Sequence, residues 1–451
     1  MLKPKPNTFP HGIHPPEFKQ ETSKLAIRRF PFAPVMIIPL SQHAGAPAIP
    51  TVREGQEVIR GEKIAEPDGF MSVAMHAPAS GTIQRISWAP AANGKMVMSI
   101  YLKPFPASAQ EVAVGVPCDV DKATPDEIII AIQDAGIVGL GGAAFPTHVK
   151  LKIPEGKSID TLIINGIECE PYLTTDHRVM LEQIDDIFMG IRYVMKVTGA
   201  ERCIIGIEAN KPDAVGTLQK AVPAGMPVTV EMCPVKYPQG AEKMLLKSLL
   251  NREVPSGGLP VDINAVVINV ATTAEIGRLL PVGRGIQERV ITITGPGIGQ
   301  KGNYLIPIGT PLRYVMEQAG MKNNVSRVFL GGPMMGQAVS SLDIPITKGT
   351  SGVVAFTEAE TAATTSPKIY PCIRCAYCLD ICPMFLNPSR LGSLAQNGAF
   401  ELMAEEFHLF DCFECGSCSY VCPSHIPLVQ HFRIAKGILR EQKAAKVGSR
   451  Q

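Results

Sequence analysis

Cys372-Ile-Arg-Cys375-Ala-Tyr-Cys378-Leu-Asp-Ile-Cys382-Pro383 and Cys412-Phe-Glu-Cys415-Gly-Ser-Cys418-Ser-Tyr-Val-Cys422-Pro423 are two copies of one pattern, C-x2-C-x2-C-x3-C-P. Three cysteines two residues apart let a tight loop wrap three corners of an iron-sulfur cube, and in two-cluster proteins the fourth cysteine crosses to the other cube. The spacing therefore assigns Cys372, Cys375, Cys378 and Cys422 to one 4Fe-4S cluster, and Cys412, Cys415, Cys418 and Cys382 to a second. A structural zinc site uses four ligands, usually as two separated pairs, and two complete runs do not fit it. Between the runs, SRLGSLAQNGAFELMAEEFHL is rich in helix formers, which predicts a helical ferredoxin domain over 368–440. Cys118, Cys169, Cys203 and Cys233 lack ligand spacing and read as buried thiols.

Working outward, 451 residues with 45% apolar and 19% charged content can bury three or four domain cores. The net charge of +2 and the lack of any long like-charge block argue against nucleic acid as a partner. The uncharged stretch from Phe30 to Val52 contains Pro31, Pro34, Pro39, Pro47 and Pro50, which a membrane-spanning helix would not tolerate. The start, MLKPKPNTFP, lacks the apolar core of a secretory signal, so the expected location is cytoplasmic, where clustered thiols stay reduced. Arg433, Lys436, Arg440, Lys443, Lys446 and Arg450 form a basic tail that reads as a solvated helix end or a surface for an anionic membrane or partner.

The fold class predicted is multidomain, α/β with small β modules. After an extended segment over 1–33, the stretch 34–108 alternates short apolar runs with Gly55, Gly61, Gly69 and Gly81, the rhythm of a small all-β module. It resembles barrel-sandwich modules of the biotinyl and lipoyl kind, but its hairpin reads MSVAMHAPASG without the modifiable lysine, so its role is structural or docking. Thr124, Pro125 and Glu127 form a capping box with proline at the first helical position. Strand-like TLIING, RCIIGIE, PVTVEMC and NAVVINV then alternate with helical stretches, predicting an α/β domain over 118–285 with a largely parallel sheet. A β-grasp-like module over 286–345, a linker over 346–367 and a tail over 441–451 complete the layout.

Between Gly136 and Lys152 runs GIVGLGGAAFPTHVKLK, where Gly139, Gly141 and Gly142 let several backbone N–H groups converge on a phosphate. A connecting turn would look the same, and neither common phosphate-loop template fits. GLGGAAFPTHVKL followed by IINGIECEPYLTTDHR is similar to the flavin domain shared by the NADH-oxidising subunit of respiratory complex I and the RnfC subunit of the Rnf ion-translocating oxidoreductase complex. The opening HGIHPPEFK, the barrel-sandwich module, KYPQGAEK, REVPSGGLP and both cysteine runs follow the RnfC pattern in the same order. Ala144, Ile167 and Ala241 depart from the complex I pattern.

The resemblance implies FMN on Gly139, Gly141, Gly142 and Phe145, with Lys150 or Lys152 near its phosphate. It implies Asn165, Glu168 and Glu170 beside the isoalloxazine and nicotinamide, and Tyr237, Gly240 and Glu242 along the nucleotide pocket. Asn269, Thr272 and Thr273 fall on the flavin-phosphate segment. Glu168 and Glu170 can equally cap a helix beginning near Pro171, and Tyr237 can be core packing. The implied function is that of a peripheral component on the cytoplasmic face of the bacterial inner membrane. It would exchange hydride between NAD(H) and FMN and pass single electrons through two 4Fe-4S clusters. Ferredoxin, the ferredoxin-like RnfB subunit and the complex's membrane subunits are the implied partners, with transport of sodium ions or protons coupled elsewhere. A cobalamin reductase of the propanediol-utilisation type, a flavin-free cluster adaptor and a metal-free scaffold are the alternatives.

Overall fold

A computed structural model describes residues 7–106, 110–361 and 368–448. The strands Met36–Pro39, Met96–Pro104, Gly81–Pro90 and Glu57–Val58 form one antiparallel sheet. Ile49–Pro50, Lys63–Glu66 and Met75–His76 form a second, and together they sandwich Ile38, Ile64, Ile83 and Ile100, all fully buried. Gly55, Gly61 and Gly69 all sit at positive φ, the conformation the turns of this module require.

The next element is the helix Pro125–Asp134, and it starts as its sequence dictates. The Thr124 side chain accepts from the Glu127 N–H while the Glu127 carboxylate accepts from the Thr124 N–H at 2.7 Å. Four strands then make an all-parallel sheet in the order Val228–Cys233, Arg202–Glu208, Thr161–Gly166, Ala265–Asn269. The chain steps outward from the Thr161 strand twice and then returns to its other side. That reversal opens a crevice beyond the carboxyl ends of Thr161–Gly166 and Ala265–Asn269, the place where open α/β sheets bind ligands.

One helix crossing fixes the floor of that crevice. Ile184–Thr198 packs against Val270–Leu279, and a Cβ on Gly190 would lie 1.9 Å from the Thr273 carbonyl oxygen. A Cβ on Gly277 would lie 1.9 Å from the carbonyl oxygen of Asp186. Only glycine lets the two backbones approach this closely.

Beyond Glu288 the chain builds a mixed six-stranded sheet with the helix Leu312–Gln318 packed into the same core. Two expectations need correcting here. The strand Gly352–Thr357 lies inside the stretch predicted as linker, yet it pairs with both Glu288–Thr294 and Val325–Leu330 in the middle of this sheet. The remainder of that linker, 362–367, falls outside the described residues. Arg28–Arg29, from the segment expected to be merely extended, forms an edge strand parallel to Tyr304–Leu305. Both pairings join distant parts of the chain, which local patterning does not encode.

The last domain is helical, as its composition predicts. Pro388–Gln396, Phe400–Glu405 and Leu428–Gly448 enclose Leu391, Met403, Leu409 and Phe432. The final helix continues through most of the stretch assigned to a tail.

Candidate functional site

The two cysteine loops are backbone copies of each other. Positive φ occurs at Arg374, Ala376 and Phe385 in the first and at Glu414, Gly416 and His425 in the second, always at corresponding steps. Each loop leads into a one-turn helix, Tyr377–Asp380 or Ser417–Tyr420, ahead of its fourth cysteine. A cavity is lined by Cys412, Cys415 and Cys418 of the second loop and by Cys382 of the first. Burial pushes the Cys378 thiol up, and its charged neighbours, which add to the shift, are Cys375, Cys422 and Cys372. Each group thus takes its fourth thiol from the other run. Among the described residues no three His, Cys, Asp or Glu side chains converge tightly enough for a single ion. Thiolates around a four-iron cube stand at separate corners, wider apart than the ligands of one zinc, so the donor sets fit clusters.

The two groups differ in surroundings. Cys418 and Cys382 are buried, while Cys372 is exposed along with Ile369, Ile373 and Tyr377. The second loop lies against the α/β domain: the Tyr237 hydroxyl donates to the Cys415 carbonyl at 2.6 Å, and Ser256 and Lys243 reach Asp411. From the basic tail, Lys436 is buried and donates to the Cys412 carbonyl, and it pairs with Glu414 at 2.9 Å. Arg433 pairs with the same carboxylate at 3.0 Å. Lys436 is therefore folded inward, and Arg433, half-buried, is tied to the same carboxylate.

The crevice gathers most of the residues the sequence pointed to. The glycine loop closes on itself, Gly139 N–H to the Phe145 carbonyl at 2.8 Å and Ala144 N–H to the Gly139 carbonyl at 3.1 Å. It is anchored by the Leu140 N–H donating to Thr272 Oγ1 at 2.9 Å. The N–H groups of Gly141, Gly142 and Ala143 have no protein acceptor among the described residues. At Gly142 a Cβ would meet nothing within 4 Å. Three consecutive exposed residues with unused N–H donors can serve as a nest for a phosphate, so the loop fits the phosphate of a flavin nucleotide.

Asn165 and Asn269 are cross-strand partners at the strand ends. Asn269 caps the helix Val270–Leu279 by accepting from the Ala271 and Thr272 N–H groups, and its Nδ2 donates to Asp176 at 2.7 Å. Asn165 donates to the Gly240 carbonyl at 2.8 Å and accepts from the Ile167 N–H. Thr273 is buried and donates to the Asn269 carbonyl. Lys150 pairs with Glu242 at 2.6 Å, whereas Lys152 turns outward to Asp126 at 2.7 Å. Phe145 is partly exposed beside the loop.

The remaining acidic residues serve the framework. Glu168 accepts from the Asp176 N–H at 2.9 Å and the His177 N–H at 3.4 Å, so it caps the helix Thr175–Glu182, which begins later than expected. Glu170 accepts from the Met334 and Met335 N–H groups at 3.1 and 2.7 Å; burial pushes its carboxyl up and those bonds oppose the shift. Tyr237 faces the second cysteine loop rather than the glycine loop, and Glu170 stands behind it on the Met334–Met335 turn. Sequence reasoning missed Asp176. Burial and then the charge of Glu168 push its carboxyl up to about 7, the bond from Asn269 opposing them. Its place one residue after the double threonine was visible, but its burial was not.

HGIHPPEFK runs as a strap across both sites. The Gly12 N–H donates to the Ile381 carbonyl at 3.1 Å, and Ile13 and Tyr237 exchange backbone bonds at 2.8 and 2.9 Å. Lys19, a buried side chain, caps the carbonyls of Glu168, Glu170 and Leu173. Burial pushes its ammonium down, opposed by the nearby charge of Glu168.

Three family models match this layout. The Nuo51 FMN-binding domain covers residues 132–278, the RnfC barrel sandwich hybrid domain 7–104, and a 4Fe-4S dicluster domain 368–426. The chain is thus a flavin and iron-sulfur protein, carrying FMN and two 4Fe-4S clusters. It belongs to the RnfC family, the C subunits of ion-translocating oxidoreductase complexes. It is 41% identical over 448 residues to the C subunit of the proton-translocating ferredoxin:NAD(+) oxidoreductase complex of Clostridium ljungdahlii, covering 99% of this chain and 95% of that one. It is 40% identical to the corresponding Na(+)-translocating complex component of Acetobacterium woodii, covering 96% and 97% of the two chains. Against the C subunit of the ion-translocating oxidoreductase complex of Rhodobacter capsulatus it is 38% identical, with 96% and 84% covered. Among solved structures, an NAD+-reducing NiFe hydrogenase in its H2-reduced state matches with a TM-score of 0.50 at 20% identity, over 72% of this chain and 68% of that one, a likeness of fold.

Proposed function

We propose that this chain is the NAD(H)-facing, flavin-bearing component of a membrane-bound ferredoxin:NAD oxidoreductase complex whose electron transfer drives ion transport. Bound FMN would supply hydride exchange with a nicotinamide and release of single electrons, which 4Fe-4S clusters can accept one at a time. The observation that carries the reading is the presence in one fold of a glycine-loop nest at a sheet switch point and two crossed cysteine groups.

In this reading Gly141, Gly142 and Ala143 donate to the FMN phosphate through their N–H groups, and Thr272 holds their loop in place. Asn165, Gly240, Glu242 and Lys150 line the side from which the nicotinamide approaches. Cys382, Cys412, Cys415 and Cys418 hold an inner cluster against the α/β domain. Cys372, Cys375, Cys378 and Cys422 hold an outer cluster, and exposed Ile369, Ile373 and Tyr377 beside it form the exit toward a redox partner such as the ferredoxin-like RnfB subunit. The mixed sheet and its helix serve as a β-grasp-like buttress that meets the second cysteine loop at Met334 beside the α/β domain. No helix among the described residues is long and apolar enough to cross a membrane; attachment is peripheral, at the cytoplasmic face of the inner membrane, through the complex's membrane subunits.

Anaerobic purification with flavin, iron and sulfide quantified together, followed by NADH titration under EPR, tests this. One FMN and about eight iron atoms per chain are expected, with NADH bleaching the flavin and producing cluster signals. Full iron content with no flavin would reduce the chain to a cluster-bearing adaptor.

A further inference from the structure

The two cysteine loops share one backbone course but not one set of contacts. Around the second, a phenol and an ammonium both donate to carbonyls of cysteine residues. Tyr237, 1% exposed, donates its hydroxyl to Cys415, and Lys436, 4% exposed, donates to Cys412. Around the first, no side-chain donor reaches the Cys372 or Cys375 carbonyl among the described residues; the Ser389 hydroxyl lies 3.7 Å from the Cys372 sulfur, and Cys372 is open to solvent. Tyr237 is held from behind by Glu170, 3.5 Å from its hydroxyl, and by the backbone pair with Ile13. On the other side of the loop, Gly416 faces Met334, whose carbonyl oxygen would lie 2.9 Å from a Cβ there.

Reduction of a cluster adds one negative charge to it. Donors aimed at the loop favour that charge even where, as for Lys436 on Glu414, the cation is itself paired, and hydrogen bonding and solvent exposure are the levers by which proteins move cluster potentials. Inside a buried site such dipoles act with little screening. We propose that Tyr237 and Lys436 are positioning residues that raise the reduction potential of the inner cluster relative to the value its burial alone would give. This role rests on the cluster assignment made under Proposed function. It gives Tyr237 a duty different from lining the nucleotide pocket.

The test uses the full chain, prepared anaerobically with flavin and iron quantified first, in EPR-monitored potentiometric titrations. For Tyr237→Phe and for Lys436→Met, at parental iron content, the midpoint of one cluster falls and the other stays. The expected drop in the reduced-to-oxidised ratio at fixed potential is roughly three- to tenfold, tenfold being about 59 mV for one electron. Incorporating 3-fluorotyrosine at position 237 preserves the shape and strengthens the donor, and the same midpoint rises. Because this last preparation adds only one fluorine, it decides the role of Tyr237 even if Tyr237→Phe fails to assemble; Lys436→Arg, which keeps a donor at that place, should hold the parental midpoint, and a fall as large as that of Lys436→Met would remove Lys436 from the proposal. Unmoved midpoints in the fluorotyrosine protein at full iron content would overturn the proposal, and equal movement of both clusters would as well. Parental protein that lacks iron sinks the cluster assignment itself, a separate result.

Discussion

At the scale of single residues, Lys348 shows how one buried amine couples three modules. It is 1% exposed on a turn of the mixed sheet's domain, and its Nζ donates to the Ala74 carbonyl of the barrel-sandwich hairpin at 2.7 Å and to the Gly136 carbonyl at 2.8 Å. Burial holds its pKa down from 10.5 to about 7. Between those values the unfolded chain binds a proton that the folded one does not, so this group makes stability rise as pH climbs from about 7 toward 10.5. Lys348→Met should flatten that rise; thermal unfolding midpoints of parent and variant at pH 7 and pH 9 measure it. In the sequence, Lys348 is an ordinary lysine after a proline-containing turn. Its partners come from residues far away in the chain, and single-chain pattern reading has no access to them. The cysteine ligands were legible because their spacing is itself the chemistry. Gly139, Gly141 and Gly142 were legible because only glycine suits such a loop. Tyr237, Glu168 and Glu170 were recognisable as special, but the atoms they meet were decided by tertiary packing.

At the scale of elements, local rules carried far. The capping box placed the helix start at Pro125, and all four apolar runs became the parallel strands of the α/β sheet. Non-local pairing is where such rules stop, as with Gly352–Thr357 in mid-sheet. The Gly190 and Gly277 crossing is likewise invisible in sequence, since glycine inside a helix usually reads as weakness. Gly277→Ala should force apart the helices beneath the glycine loop and cost about 1–3 kcal/mol or more, read as a lowered unfolding midpoint together with weaker FMN retention. A midpoint unchanged within error would show that the helices separate freely. For the cysteine loops, Cys382→Ser and Cys415→Ser should each remove the same EPR signal although they lie in different runs. The double variant should lose no more iron than either single one. Loss of two distinct signals would mean that each run holds its own cluster.

At the scale of the whole molecule, the strap joins what the domains separate. Residues 9–19 touch the parallel sheet's loops, the second cysteine loop's partner Tyr237 and the first loop at Ile381. Removing residues 1–16 should leave both cofactor sites in place but loosen their relative placement. Hydrogen exchange at the Tyr237 amide, which donates to the Ile13 carbonyl at 2.9 Å, reports this directly. Faster exchange there, with the Thr161–Gly166 strand still protected, is expected; unchanged exchange would assign the strap no such duty.

The same strap ties maturation to the order of synthesis. Its residues leave the ribosome long before Ile381, which is part of their seat. Most of that seat, Glu168, Glu170, Leu173 and Tyr237, is made earlier, so the strap can dock on the α/β domain first while its Gly12 N–H waits for the first iron-binding loop. The closing of that remaining bond is the last step by which the two ends of the polypeptide are joined.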